Sequence, residues 1–455
     1  MVQAEQRGTA VSNVAARLER LPFSSFHIRI RLILGVATFF DAVDLLAISF
    51  ALPALAGPWH LTPNEIGAVI SAAFLGQLVG ALLAGWGAEV FGRLRIVTLA
   101  VAVFGLMSLA CAFAWDARSL MVFRFIQGIG LGGEVPVATT YIVEFARREG
   151  RGRFYILYEL VFSFGLVGAA LLGYWLVPKI GWQVLFYIGA APAALALFLT
   201  RLLPESPRWL VGQGRVAEAE AIVARIEREI EASGTTLPPP VAALADAAAS
   251  PRRWLEMLGP VYRRRTIGVW AMWFCCFSTL YGLNAWMPTL YRTTFKLPLS
   301  QALGYGLIVQ ACGIVGAMLC AFNIDRVGRR PWFTLALAGG GLSLLLLAWL
   351  GVSAATTLLI FVSLASFFMS GVAIGLNLYT AEIYPTRIRA FASSIGGAWQ
   401  RVAAASGPIV VAAMLTHGSL TRVFVYFGVI ALIGAGVAAR FTVGTEQKSL
   451  EVVSP

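Results

Sequence analysis

Twelve stretches of about twenty apolar residues recur along this chain. They fall at roughly 31–55, 66–88, 95–115, 119–142, 155–178, 183–203, 266–290, 302–324, 332–351, 356–380, 391–416 and 421–441. A helix rises about 1.5 Å per residue, so each stretch spans roughly the 30 Å hydrocarbon layer of a bilayer. Within lipid the backbone must satisfy its own hydrogen bonds, which leaves helices or closed barrels. Continuous rather than alternating apolarity selects helices. With 58% hydrophobic and 13% charged residues, a soluble fold could not hide the apolar surface. The expected fold class is an all-α membrane protein of twelve transmembrane helices. Residues 1–30 are polar and hold no signal-peptide core, so no cleavage is expected there.

The formal net charge of +12 raises the question of nucleic acid. Topology accounts for it instead. With the N-terminus in the cytoplasm, only Arg118, Lys179, Arg292, Lys296 and Arg422 of the 35 basic residues fall outside. That bias predicts both termini in the cytoplasm. Neither a nucleic-acid partner nor a cofactor is expected. The five cysteines sit in or beside apolar stretches without metal-ligand spacing. No nucleophile–base–orienter set is readable, so the chain is not expected to be an enzyme.

Two motifs repeat at nearly one offset. Glu89-Val-Phe-Gly92-Arg93 recurs as Asp325-Arg-Val-Gly328-Arg329, and Glu144-Phe-Ala-Arg147 has its counterpart in Glu382, followed by Arg387. The chain therefore reads as two parallel six-helix halves, 31–203 and 265–441. An N-terminal segment (1–30), a cytoplasmic linker (204–264) with short interfacial helices and a flexible middle, and a tail (442–455) complete it. Acids at these loops can accept from helix N-termini and from arginines. Glu89, Arg93, Glu144, Asp325, Arg329, Glu382 and Arg387 are thus candidate gating residues, although arginines there would also set topology.

Some apolar stretches carry interior charges. Arg401 lies mid-way along an uncharged run from Phe391 to Met414. A permanent cation at that depth costs at least about 2.5 kcal/mol, which marks a functional site unless it only locks two helices as an ion pair. Asp41 and Asp44, three residues apart, are expected on one helix face. A carboxylate whose water and cation partner change between states can take up and release a proton.

These residues resemble the major facilitator superfamily over essentially the whole chain, close to its sugar-porter and organic-ion branches. The marks are the acid-x-x-Gly-Arg loops, Arg124-Phe-Ile-Gln-Gly-Ile-Gly-Leu-Gly-Gly-Glu134-Val-Pro136, Pro204-Glu-Ser-Pro-Arg-Trp-Leu210, and Ala381-Glu-Ile-Tyr-Pro-Thr-Arg-Ile-Arg389. Glu89 departs from the usual Asp, and the motif expected after helix twelve is reduced to Gly444-Thr-Glu446. The resemblance implies alternating access around a midplane site. It implies Asp44–Arg124 as a proton-coupling pair, with Asp41 and Glu159 as further protonation or substrate candidates. Glu159 stands where sugar porters carry a sugar-binding glutamine. Glu134 is expected to be a structural or gating acid.

Matching positions place Arg401, Gln400, Asn377, Asn284, Gln127, Tyr281, Trp399, Ser278 and Thr279 around the substrate. Ser278 and Thr279 replace paired sugar-porter glutamines. An arginine fork fits a carboxylate, and Phe40, Tyr281, Trp286, Tyr379 and Trp399 are candidates to sandwich a ring. The pattern is similar to bacterial niacin and aromatic-acid transporters. It implies a small carboxylate partner, nicotinate first and benzoate-type acids second, with protons as co-substrate. A monomer in the bacterial inner membrane is expected. A sugar, an organic cation, or a receptor on this fold are the other readings.

Overall fold

The computed structural model describes residues 13–145, 151–239, 256–384, 386–417 and 419–444. For 151–157, 159, 160, 381, 386, 387, 389, 390 and 417 it describes only the backbone. Among the described residues, twelve helices are long and apolar enough to cross a membrane. They are α1 (Ser25–Leu55), α2 (Pro63–Phe91), α3 (Arg93–Ala112), α4 (Ala117–Phe145), α5 (Arg151–Ile180) and α6 (Gln183–Leu202), then α7 (Arg263–Thr293), α8 (Leu299–Val327), α9 (Arg329–Leu350), α10 (Ala355–Glu382), α11 (Thr386–His417) and α12 (Leu420–Phe441). All twelve expected stretches are present. Most helices run a turn past the apolar window, because polar ends add helical length outside the hydrocarbon layer. Local chemistry sets the boundaries. Thr62 and Glu65 form a capping box behind Pro63 at the start of α2. α2 and α8 end on Gly92 and Gly328, whose φ of +107° and +91° favours glycine.

The helix pairings repeat. In the first half α1 packs on α5, α2 on α4, α3 on α4, and α3 on α6. In the second half α7 packs on α11, α8 on α10, α9 on α10, and α9 on α12. Each pairing reappears six helices later, as two copies of one bundle require. The halves touch through α2–α11, α5–α8 and α1–α7. An even number of crossings returns the chain to the end at which it starts. The contacts joining α2 to α11 sit toward the opposite, far end. There Ser71 Oγ donates to the Ala405 carbonyl at 2.7 Å, and Thr416 Oγ1 to Asn64 Oδ1 at 3.3 Å.

The expected linker is in part a fixture of the first half. Helices Pro207–Gly212 and Val216–Ala232 share an apolar core with residues 13–19 and the first half: Val14 and Leu18 pack with Val223, Ile226 and Ile230. Trp209 Nε1 donates to the Glu89 carbonyl at 2.9 Å. Arg17 and Arg20 reach Glu227 at 2.5 and 2.7 Å, and Arg29 reaches Glu229 at 2.9 Å. Burial alone would raise the Glu227 carboxyl, but hydrogen bonds from Arg17 and Arg20 outweigh it and hold Glu227 below its ordinary value. The amphipathic period of 216–230 needs a partner, and the first half supplies it. Residues 240–255 of the expected linker, on which part of its flexible middle falls, lie outside the described residues.

Candidate functional site between the two halves

Two polar clusters are built around α1. The first crosses between the halves. Arg401 on α11 lies close enough to Asp41 on α1 and Tyr281 on α7 to act on them electrostatically, and Gln400 hydrogen-bonds Tyr281. Asp41 is 4% exposed. The Arg401 guanidinium spends Nη1 on its own helix, at the Gly397 carbonyl 3.2 Å away, and its buried Nε has no hydrogen-bond partner among the described residues. Tyr281 ends an aromatic stack one face wide along α7. Trp273 and Phe277 lie 5.0 Å apart, Phe277 and Tyr281 5.8 Å apart, both stacked. Phe74 of α2 closes on Tyr281 from the other half at 5.1 Å. Four-residue spacing makes that stack, because residues four apart eclipse on a helix. An anion-seeking fork, a carboxylate, an amide and a flat aromatic wall therefore converge where the halves meet.

The second cluster is internal to the first half. Asp44 is fully buried. Its Oδ1 accepts from Ser108 Oγ of α3 at 2.8 Å, and Oδ2 meets no hydrogen-bond donor at bonding distance among the described residues. Arg124 of α4, 1% exposed, donates from Nη1 to the backbone carbonyl of Asp44 at 3.0 Å and to Gln127 Oε1 at 2.7 Å. The two residues are brought together as expected, but the guanidinium holds the main chain and not the carboxylate. α6 breaks at Ala190, and Gly189 is what lets it close over this acid. A Cβ on Gly189 would sit 2.1 Å from Asp44 Oδ1 and 2.5 Å from Ser108 Oγ.

Asp41 and Asp44 do not act on one face. A step of three residues turns a helix about 300°, leaving roughly 60° between them. On a helix that borders both halves, that offset sends Asp41 across the interface and Asp44 into its own bundle. A third buried acid, Glu134, accepts from Thr38 Oγ1 at 3.0 Å, and Thr38 also bonds Tyr158.

Several expected substrate residues lie elsewhere. Gln127 belongs to the Asp44 cluster. Ser278 and Thr279 are fully buried. Thr279 Oγ1 donates to its own helix at Cys275, while the Ser278 main chain packs where α11 comes closest, at Gly407. Trp399 packs on Trp270 and Phe274 at 5.8 and 6.4 Å. Two residues from Arg401 is a turn of about 200°, so the ring points away from it. Asn377 is exposed and donates to its own helix at Ala373. Asn284 lines a cavity of about 10 Å³ with Gln310 and Phe50 between α1, α7 and α8. Among the aromatic candidates, Trp286 Nε1 donates to the Pro408 carbonyl and the Tyr379 hydroxyl accepts from the Val443 amide. The side chain of Glu159 lies outside the described residues. Sequence reasoning passed over Ser108, Gly189, Phe74 and Phe277. Only the four-residue run Trp273–Phe277–Tyr281 carried a readable signal.

The loop charges pair within each half. Arg93 meets Glu144 at 3.1 Å and Glu89 at 3.0 Å. Arg329 meets Glu382 at 2.7 Å and Asp325 at 2.5 Å. The Arg387 side chain lies outside the described residues. These pairs lie at the end of the bundle that carries the chain termini. They brace one helix pair to another inside a half.

The family described as sugar (and other) transporter matches residues 49–455. The chain is 32% identical over 444 residues to the niacin transporter NiaP of Acinetobacter baylyi, covering 97% of this chain and 99% of that one. It is 29% identical to the 4-hydroxybenzoate transporter PcaK of the same organism, over 84% of this chain and 83% of that one. Among solved structures, a partially occluded inward-open xylose transporter XylE of Escherichia coli superposes with a TM-score of 0.70 at 21% identity. That match covers 92% of this chain and 100% of that one.

Proposed function

Because the chain belongs to the sugar (and other) transporter family of the major facilitator superfamily, we propose that it takes up a small, flat monocarboxylic acid together with a proton, with nicotinate as its leading substrate. As a member of that family it is a transporter and not an enzyme. The observation that carries the reading is Arg401: a buried guanidinium between the halves whose Nε has no partner among the described residues. The fork accepts a carboxylate through parallel hydrogen bonds. Tyr281 and Phe277 give the ring an aromatic face, and Gln400 and Tyr281 offer polar atoms for a ring heteroatom. Asp41, within electrostatic reach of Arg401, disfavours a second negative charge on the substrate.

Asp44 is the proton site. Its buried carboxylate takes a hydrogen bond from Ser108 on one oxygen, and Arg124 is held beside it by main chain and Gln127. Rocking of the halves changes what Asp44 meets, and the proton moves with that change. Both chain ends are assigned to the cytoplasm of a bacterial cell, and the basic bias of the loops supports that orientation. The far-end contacts then close the outer side, and the site is reached from within. The chain is proposed to work as a monomer.

The niacin and 4-hydroxybenzoate activities of the relatives support an aromatic acid over a sugar, and benzoate-type acids are the second reading. A thermal-shift panel of nicotinate, benzoate, glucose and choline on the purified protein tests the assignment. Stabilisation is expected with nicotinate, less with benzoate, and none with glucose or choline. Stabilisation by glucose alone would overturn it.

A further inference from the structure

The hydroxyl of Ser108 has one proton and two acceptors. Its Oγ lies 2.8 Å from Asp44 Oδ1 on α1 and 3.0 Å from the Phe186 carbonyl on α6. A hydroxyl donates once and can accept on its lone pairs, so it serves one of the two as donor at a time. Buried hydroxyls on helices commonly close back on the carbonyl four residues earlier, as Thr279 and Thr380 do here. Both contacts of Ser108 leave its helix instead, and they join α1, α3 and α6 at one oxygen. The Phe186 carbonyl also takes the Ala190 amide at 2.9 Å. Two residues on, Pro192 has no N–H to return to Ile188, and α6 is interrupted between Gly189 and Ala191. Ser108 therefore grips α6 at the turn where it breaks. The sister half shows that the fold does not demand this. Gly105 of α3 packs against Ala193 of α6, and Gly341 of α9, 236 positions later, packs against Gly428 and Leu432 of α12. On that offset Ser108 corresponds to Leu344, which is fully buried, and α12 runs unbroken from Leu420 to Phe441. The hydroxyl and the interrupted helix occur together, in the half that holds the buried Asp44.

We propose that Ser108 is a positioning residue that passes the charge state of Asp44 to the break in α6; this rests on Asp44 being the proton site. An ionised carboxylate only accepts. The hydroxyl then donates to Oδ1, and the Phe186 carbonyl keeps Ala190 alone. A protonated carboxyl donates its own O–H to Ser108 Oγ, and the hydroxyl turns to the Phe186 carbonyl. Proton uptake at Asp44 thus adds one hydrogen bond between α3 and α6, while the proton itself stays on Asp44. Among the described residues, Arg124 of α4 and Cys111 of α3 are the other ionisable groups acting on Asp44. Arginine keeps its proton throughout, and Cys111→Ala is the control for the thiol.

The test is amide hydrogen exchange of α6, read by mass spectrometry on the full chain in detergent at pH 5 and pH 8 and corrected for intrinsic exchange. Peptides covering 186–193 should be about fivefold better protected at pH 5, from one neutral hydrogen bond. Cys111→Ala should keep that difference and Asp44→Asn should lose it. Ser108→Ala should lose it too, and Ser108→Thr, which keeps the hydroxyl, should restore it. Ser108→Cys, close in volume but a weak donor, should behave like Ser108→Ala, and thermal unfolding checks folding in each. In proteoliposomes, Ser108→Ala should lower proton-driven accumulation about fivefold or more and leave counterflow at equal pH within about twofold, from the same single bond. A serine that only packs would lower both together and leave the pH difference intact. Persistence of that difference in both Ser108→Ala and Ser108→Cys overturns the inference, as does equal loss of accumulation and counterflow. Its absence from the wild type, with Asp44→Asn unable to accumulate substrate, overturns the inference and spares the proton site. Full accumulation by Asp44→Asn overturns the proton-site reading itself.

Discussion

Replacing Arg401 separates a ligand-binding cation from a structural one. Among the described residues its guanidinium makes one hydrogen bond, to the Gly397 carbonyl of its own helix, and Nε makes none. Its burial costs at least about 2.5 kcal/mol, set against attraction to Asp41 and Tyr281. Arg401→Ala removes both terms, so thermal stability without ligand should change by less than about 1 kcal/mol. A cation serving only to lock helices would instead lose about 3–5 kcal/mol on truncation. Ligand affinity should respond in the opposite sense. Removing one partner of a desolvated, hydrogen-bonded charge pair costs about 2–5 kcal/mol. At about 1.4 kcal/mol per decade this weakens nicotinate binding by roughly 30-fold to several thousand-fold. Arg401→Lys keeps the charge and loses the fork, at about 1.5–3 kcal/mol for one charge-assisted hydrogen bond. The assay is calorimetric titration of nicotinate, with unfolding followed on the same samples. An Arg401→Ala protein that unfolds several degrees lower and still binds within twofold would refute the assignment.

Three further expectations follow from the packing. Gly189→Ala puts a methyl group 2.1 Å from Asp44 Oδ1, an overpacking cost of about 1–3 kcal/mol. It should impair proton-driven accumulation more than substrate exchange at equal pH, which counterflow measures. Arg329→Ala removes the buried guanidinium that bridges Glu382 and Asp325 and should lower thermal stability, by up to about 3–5 kcal/mol. Asp325→Asn, whose side chain is 74% exposed, should cost no more than about 1 kcal/mol by thermal unfolding. The Arg17–Arg20–Glu227 contact has an acid limit. Glu227 is held below its ordinary value, so its contribution is full above the unfolded-state value of about 4.3 and is lost as pH falls through the lower folded one. Amide protection of residues 13–19, corrected for intrinsic exchange, should be constant from pH 8 to 5 and drop below about pH 4. A drop near pH 6 would contradict this.

Span positions and the twofold repeat were legible because they rest on long-range statistics of one kind of residue. Twenty apolar residues have one common use, and Glu89–Arg93 against Asp325–Arg329 is a repeated chemical unit. The site was legible as residue types and only partly as neighbours. Arg401, Gln400, Asp41 and Tyr281 converge, whereas Trp399, Ser278, Thr279 and Asn377 do not. The difference is angular. A helix residue moved by two positions faces the far side, and sequence alone does not fix how α7 and α11 are rotated against each other. Gly407 against the Ser278 main chain sets that rotation here. Gly189 and Ser108 went unread because a glycine and a serine in apolar helices are common, and only the carboxylate placed against them gives them meaning. The docking of 204–232 onto the first half was equally hidden. Its apolar stripe said that a partner exists and not which surface supplies it.

The central claim is that carboxylate uptake is driven by a proton taken up at Asp44. Labelled nicotinate accumulation in proteoliposomes with an imposed pH gradient tests it most directly, comparing the wild-type chain with Asp44→Asn. The wild type should concentrate nicotinate above equilibrium and lose that on adding an uncoupler, while Asp44→Asn should only equilibrate it. Accumulation by Asp44→Asn at the wild-type level, or no uncoupler-sensitive accumulation by the wild type, would contradict the account.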